Sequence, residues 1–177
     1  MLLFRILGVL DVSSDVLNHV EGYLKRIFKI YSIETEVLRE RPPPRFYSIS
    51  RDQYRADLII EWLKNFRRKY DEIIVGLIDG DGFVPGYNFI FGLADPIYRI
   101  ATVYMRRLYR EAFTDPLFLS RLEKEVTHEI GHVLGLGHCS DEKCVMRFSN
   151  SLKEVDMKSS RFCSKCRSRI IQYLYTS

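Results

Sequence analysis

Apolar and polar positions alternate through the first eighty or so residues in the manner of a chain that switches between strand and helix. The run from Leu2 to Leu10 is almost wholly apolar and predicts a strand buried on both faces. From Asp15 to Ile30 the apolar residues recur three and four apart, which predicts a helix with Ser14 as its N-cap. A second strand is expected over Ile33–Leu38. The prolines at Pro42–Pro44 exclude a helix interior, and beyond them a second amphipathic helix is expected over Arg51–Tyr70, capped by Ser50. Glu72–Ile78 makes a third strand, and helical crossovers between the three imply parallel pairing through right-handed connections.

The turn-rich Gly80–Gly86 segment leads to two further candidate strands, Asn88–Ala94 and Ile97–Met105. Asp115 followed by Pro116 marks the start of a third helix, because aspartate caps free amides and proline loses nothing at the first helical position. That helix is expected to end at Gly135, which can take the left-handed conformation that turns a chain out of a helix. An irregular segment follows, then a short helix near Ser164–Tyr175. The pattern predicts an α/β chain with a mixed five-stranded sheet, folding as one domain over 1–177. Within it, 1–135 would hold the sheet and the long helix, and 136–177 a C-terminal segment.

Composition narrows the functions without choosing one. A chain of 177 residues, 46% hydrophobic and 28% charged, is large enough for one ordinary core. The net charge of +4 is spread out, apart from Arg67, Arg68 and Lys69 and the pair Arg106 and Arg107. Such short clusters read as solvated faces, so nucleic acid is not an expected partner. No run approaches the roughly 20 apolar residues that span a bilayer. The opening MLLFRILGVL carries Arg5 and is closed by Asp11 with no small-residue cleavage site, so it reads as a strand and not as a signal peptide. A soluble cytoplasmic protein is expected, with a monomer favoured.

The chemistry is concentrated in HEIGHVLGLGH. His128 and His132 lie four residues apart, about 6 Å along a helix axis and on one face, so two imidazoles can converge on one ion. Glu129, rotated about 100° from His128, can hydrogen-bond a metal-bound water without taking a coordination position. The turn at Gly135 can return His138 as a third ligand. Three nitrogens and one open position describe a catalytic zinc site, with Glu129 as the general base that takes a proton from zinc-bound water as it attacks a peptide carbonyl. A motif of this length arises by chance on the order of once in 10⁵ chains. His19 stands apart from it and is read as structural.

Cys139, Cys144, Cys163 and Cys166 are all the cysteines of the chain. Two close pairs fit a closed tetrahedral zinc site, with a pair of disulfides as the alternative. Two zinc ions per chain are therefore expected, one catalytic and one structural. A different class of function also fits these residues: a zinc-stabilised binding module whose basic C-terminal helix, with Lys165, Arg167 and Arg169, docks a protein or nucleic acid.

With HEIGHVLGLGH, CSDEKC, the following VM and a distant CSKC in view, the chain resembles the archaemetzincins, a metzincin-like family of zinc metallopeptidases. The resemblance is specific over Glu125–Cys166. It implies a zincin fold with a twisted mixed sheet, helices on both faces, an active-site helix and a zinc-bound C-terminal segment. It also implies a methionine turn beneath the metal, matched by Met146 with Met157 the weaker candidate, and a peptide or protein substrate. By the same resemblance that substrate would pair with an edge strand here formed by Asn88, Phe89, Ile90, Phe91 and Gly92 through Ala94.

Overall fold

The computed structural model describes residues 3–29, 33–109 and 115–176. In chain order the elements are β1 (Leu3–Val9), α1 (Ser14–Phe28), β2 (Ile33–Val37), β3 (Tyr47–Ser48), β4 (Gln53–Arg55), α2 (Ala56–Leu63), β5 (Glu72–Ile78), β6 (Gly82–Phe83), β7 (Gly92–Asp95), β8 (Ile100–Tyr104), α3 (Met105–Tyr109), α4 (Asp115–Val133), α5 (Leu152–Met157) and α6 (Ser164–Thr176). The expected five-stranded mixed sheet is present in the order β2-β1-β5-β8-β7. Its first four strands pair parallel and β7 runs antiparallel on the edge beside β8.

The sheet is buried on both faces because its central strands carry apolar side chains at odd and even positions alike. Phe4 and Ile6 of β1 with Ile73, Val75 and Leu77 of β5 meet α1, α4 and the C-terminal segment on one side. Leu7 and Val9 with Ile74 and Ile78 meet α2 on the other. Along α4, Phe118, Leu122, Val126, Ile130 and Val133 are buried at helical spacing and pack on β8 and β7. The C-terminal segment joins the same core through Val145, Met146, Val155, Cys166 and Ile170.

Several expectations need correction. The N-cap of α1 is Ser13, whose hydroxyl accepts from the Val16 amide, and not Ser14. Leu2 and Ile30, at the expected ends of the first strand and first helix, lie outside the described residues, as does the side chain of Asp115. The helix expected over Arg51–Tyr70 is shorter: a β3–β4 hairpin turns at Asp52 (φ 54°), α2 begins at Ala56, and one 3-10 turn follows over Lys64–Phe66. Ser50 sits in that turn, bonded to Ser48. Long-range pairing outweighs local periodicity here, since the Tyr54 amide donates to the Asp81 carbonyl and buried Gln53 donates to the Asp81 carboxylate at 2.9 Å.

The same small sheet, ordered β3-β4-β6, displaces the fourth expected strand. The Ile90 amide donates to the Gly82 carbonyl, so bonding to β8 begins only at the Phe91 carbonyl, which accepts from the Tyr104 amide, and the paired ladder starts at Gly92. Ile97 and Tyr98 belong to the turn of the β7–β8 hairpin, where the Tyr98 amide donates to Asp95 and Arg99 is left-handed (φ 51°). Helices α3 and α5 were not expected. The short α5 is held to α4 by Arg121, bidentate to Asp156 at 2.8 and 2.6 Å, and by Lys124, which donates to the Val155 and Asp156 carbonyls at its C-terminus.

A buried hydroxyl joins three parts of the chain. Tyr23 of α1 donates to the Ser160 carbonyl at 3.0 Å and shares a 2.7 Å bond with Thr127 of α4. Tyr23→Phe leaves that part-buried carbonyl without this donor and is expected to cost about 1–2 kcal/mol. In urea unfolding the midpoint should fall while the slope stays at the wild-type value.

Candidate active site and thiol cluster

Helix α4 delivers two of the three histidines and then stops in a way that delivers the third. The Gly135 amide donates to the His132 carbonyl and the Leu136 amide to the Gly131 carbonyl, both at 3.0 Å. This is the Schellman arrangement, and Gly135 closes it with φ +80°, a conformation that costs glycine little. The chain reverses, and His138 comes back over the helix face that carries His128 and His132.

The ligand-capable atoms of His128, His132 and His138 all lie within 4.8 Å of one another. His128 Nδ1 is 2.8 Å from the Val145 carbonyl and His132 Nδ1 is 2.8 Å from the Leu136 carbonyl. A carbonyl only accepts, so both Nδ1 atoms carry the hydrogen and both Nε2 atoms present lone pairs. Those Nε2 atoms stand 3.1 Å apart. Two lone pairs at that distance repel unless a cation sits between them. The spacing matches the edge of roughly 3.3 Å that zinc–nitrogen bonds of about 2.05 Å give in a tetrahedron. Burial pushes the His128 imidazole down to about 2, aided by the Lys158 charge and by His132. His132 and His138 are lowered as well, burial being the largest cause. Each of these shifts favours the neutral imidazole, the form in which a histidine can hold a metal. His128 is buried and His138 is exposed, so the cluster opens to solvent on one side.

Glu129 is buried beside this cluster, beneath the edge strand. A Cβ built on Gly92 of β7 would stand 2.6 Å from Glu129 Cγ and Oε1, so glycine is what allows the strand to pass over the carboxylate. Burial, and next the neighbouring Glu125, drive the Glu129 carboxyl well above the usual range, while Lys158 opposes them. Below the helix, fully buried Met146 fills the space left by Gly131, where a Cβ would meet its sulfur at 2.3 Å. Met157, by contrast, is exposed.

Phe89, Ile90, Phe91 and Gly92 line a cleft of about 530 Å³ together with His128, Glu129, His132 and His138. Asn88 is not among its lining residues, and its carbonyl accepts from Arg51 and Gln53. Phe148, Ser149 and Asn150 form the facing wall, with the Phe148 ring 4.9 Å from that of His138. That wall and two charged cleft residues, Glu125 and Lys158, escaped the sequence reading. His19, read as structural, pairs with Glu123 at 3.0 Å.

The four cysteines form a second cluster. They are free thiols, and their sulfurs also lie within 4.8 Å of one another. The Cys139 and Cys163 sulfurs are 3.8 Å apart. Zinc–sulfur bonds of about 2.3 Å give a tetrahedral edge of roughly 3.8 Å, whereas a disulfide requires about 2.05 Å. The Cys163 amide donates to the Cys144 sulfur. Cys144 and Cys166 are buried and their thiols are pushed up by burial, a cost that a bound cation would offset. The Cys139 amide donates to the Met146 carbonyl at 2.9 Å, so this cluster is joined by main chain to the floor of the histidine site.

With this geometry established, similarity to known proteins becomes specific. Residues 6–172 match the profile of peptidase family M54. The archaemetzincin of Aeropyrum pernix is 44% identical over 135 residues, covering 73% of this chain and 72% of that protein. The archaemetzincin of Pyrococcus horikoshii is 36% identical over 173 residues, covering 93% and 92%. The crystal structure of the archaemetzincin of Methanopyrus kandleri superposes with a TM-score of 0.88 at 33% identity, over 98% of this chain and 96% of that one. The fold expected from the resemblance is thereby borne out. Among the described residues no helix is long and apolar enough to cross a membrane. The chain belongs to peptidase family M54 and is a zinc metallopeptidase.

Proposed function

We propose that the chain hydrolyses peptide bonds with Glu129 as general base and with His128, His132 and His138 holding the catalytic zinc. The observation that carries this reading is the pair of Nε2 lone pairs 3.1 Å apart, each fixed by a carbonyl behind it, next to a carboxylate roofed by the edge strand. When bound, zinc supplies a Lewis acid that polarises a carbonyl and makes water more acidic. Glu129 is placed to take the proton of the attacking water on a carboxylate oxygen and to pass it to the departing amine nitrogen. Met146 gives the imidazoles an apolar floor. Edge strand β7 leaves one side of its main chain unpaired with β8, and an extended substrate laid along it would run past Glu129 through the Phe89–Ala94 side of the cleft.

We further propose a second, structural zinc on Cys139, Cys144, Cys163 and Cys166, making two per chain, within a single domain over 1–177. Two apolar clusters on opposite faces of one sheet, the larger running from Phe4 to Ile170, support the single domain, and the tetrahedral sulfur spacing supports the metal.

Three outcomes follow. Glu129→Ala should lower kcat by about 10²–10⁴-fold, the range of general base catalysis, with zinc content by elemental analysis held at two per chain. Wild-type rates in that variant would end the mechanism. Gly92→Ala should push the Glu129 carboxylate aside and lower kcat/KM at least tenfold while the far-ultraviolet spectrum stays that of the wild type. Cys163→Ser should release the structural metal, which in small domains contributes roughly 10 kcal/mol to folding. Its melting temperature should fall steeply and its content drop below two zinc ions per chain.

A further inference from the structure

The cleft holds a second carboxylate that the mechanism does not use. Glu125 precedes Glu129 by one helical turn on the same face of α4, and both line the cleft. Two carboxylates so close would compete for one proton and for one cation. Lys158 answers Glu125 directly. Its ammonium is 2.9 Å from Glu125 Oε1, and the two side chains are 1% and 4% exposed.

Stability is a weak reason for such a pair. Removing two charges from water costs several kcal/mol each, and apolar residues of similar volume commonly hold a fold as well or better. The placement is specific in another way. Lys158 follows α5, where its own amide donates to the Glu154 carbonyl, and its ammonium also reaches the Arg147 carbonyl just before the Phe148–Asn150 wall. Among the described residues lining the cleft, the acids are Glu125 and Glu129 and the one lysine or arginine is Lys158. The lysine meets Glu125, leaving Glu129 beneath Gly92 as the carboxylate without a direct cationic partner among the described residues.

We propose that Lys158 is a positioning residue for the hydrolysis: by pairing with Glu125 it masks the second carboxylate, so that Glu129 is the one proton acceptor facing the scissile bond. The proposal rests on the reading of Glu129 given above. Lys158 touches neither substrate nor metal in it and acts through Glu125.

Peptide hydrolysis by the zinc-loaded full chain tests it, with melting temperature and zinc content measured alongside. Lys158→Met bares Glu125 and should lower kcat tenfold or more with KM moved less than about threefold. Lys158→Arg, which keeps the charge, should restore most of that loss. Because a bare buried carboxylate can also unfold the chain, the double variant Glu125→Gln with Lys158→Met carries the decision. It should fold, bind zinc as the wild type does, and recover kcat to within about threefold of wild type. A folded double variant still slowed tenfold would show that the lysine acts on substrate directly, and would overturn masking. Glu129→Gln assayed in parallel separates the two levels. Wild-type rates there overturn the reading of Glu129 and this proposal with it, whereas a slow Glu129→Gln beside a slow double variant overturns the masking alone.

Discussion

The bond from His128 Nδ1 to the Val145 carbonyl is the constraint on which the site is built. A main-chain carbonyl accepts and does not titrate, so it holds the ring in one tautomer and one orientation. It also sets the 139–146 loop against α4, because Val145 lies between Cys144 of the thiol cluster and Met146 under Gly131. His132 is fixed by the same device, but locally, through the Leu136 carbonyl of its own helix end. His138 stands on the loop, buttressed by Phe148. Two of the three histidines are therefore fixed by the helix and its own end, and the third depends on how the following chain is held.

Helix α4 serves both the core and the cleft. Its apolar positions at Leu122, Val126 and Ile130 face the sheet, while Glu125, His128, Glu129 and His132 repeat at the same spacing on a neighbouring face. Such a helix buries charge as an unavoidable consequence of passing under a sheet edge. The buried cations around it each find a partner: Arg121 bonds to Asp156, Lys124 to the carbonyls ending α5, and Lys158 forms an ion pair with Glu125. They hold the C-terminal segment to the helix through groups that are costly to leave unpaired.

What was legible in the sequence was what local physics decides. Glu72–Ile78 was read with its ends because a strand buried on both faces is apolar throughout. HEIGHVLGLGH was legible because helical periodicity puts two of its histidines on one face and one left-handed glycine turns the third back toward them. The start of the expected Arg51–Tyr70 helix is not local in origin: the Tyr54 amide and the Gln53 side chain bond to Asp81, distant in sequence, and Ser50, the expected cap, lies in a hairpin turn. Helix α5 is too short for periodicity, yet Ser151 and Glu154 carried a capping signal: the Ser151 hydroxyl accepts from the Glu154 amide, and the Glu154 carboxylate accepts from the Asn150 amide and the Ser151 hydroxyl. Nothing local announces that Lys158 meets Glu125, since that contact exists only once α5 has docked.

The two clusters differ in exposure, and the difference follows from how each is enclosed. The thiols come from two stretches of loop and helix closing on each other, with Cys144 and Cys166 buried. The histidines come from one helix and its own return, which leaves one side uncovered at His138. A closed cluster can hold its surroundings rigid, and an open one can admit a reactant, but each would do its work poorly in the other's place. The bond from the Cys139 amide to the Met146 carbonyl joins them, so that the thiol cluster is tied to the loop bearing the third imidazole while the histidine cluster keeps an uncovered face. Enclosure by loops alone would make the chain a metal-stapled scaffold, and it is the helix that stops short at Gly135 that leaves room for chemistry.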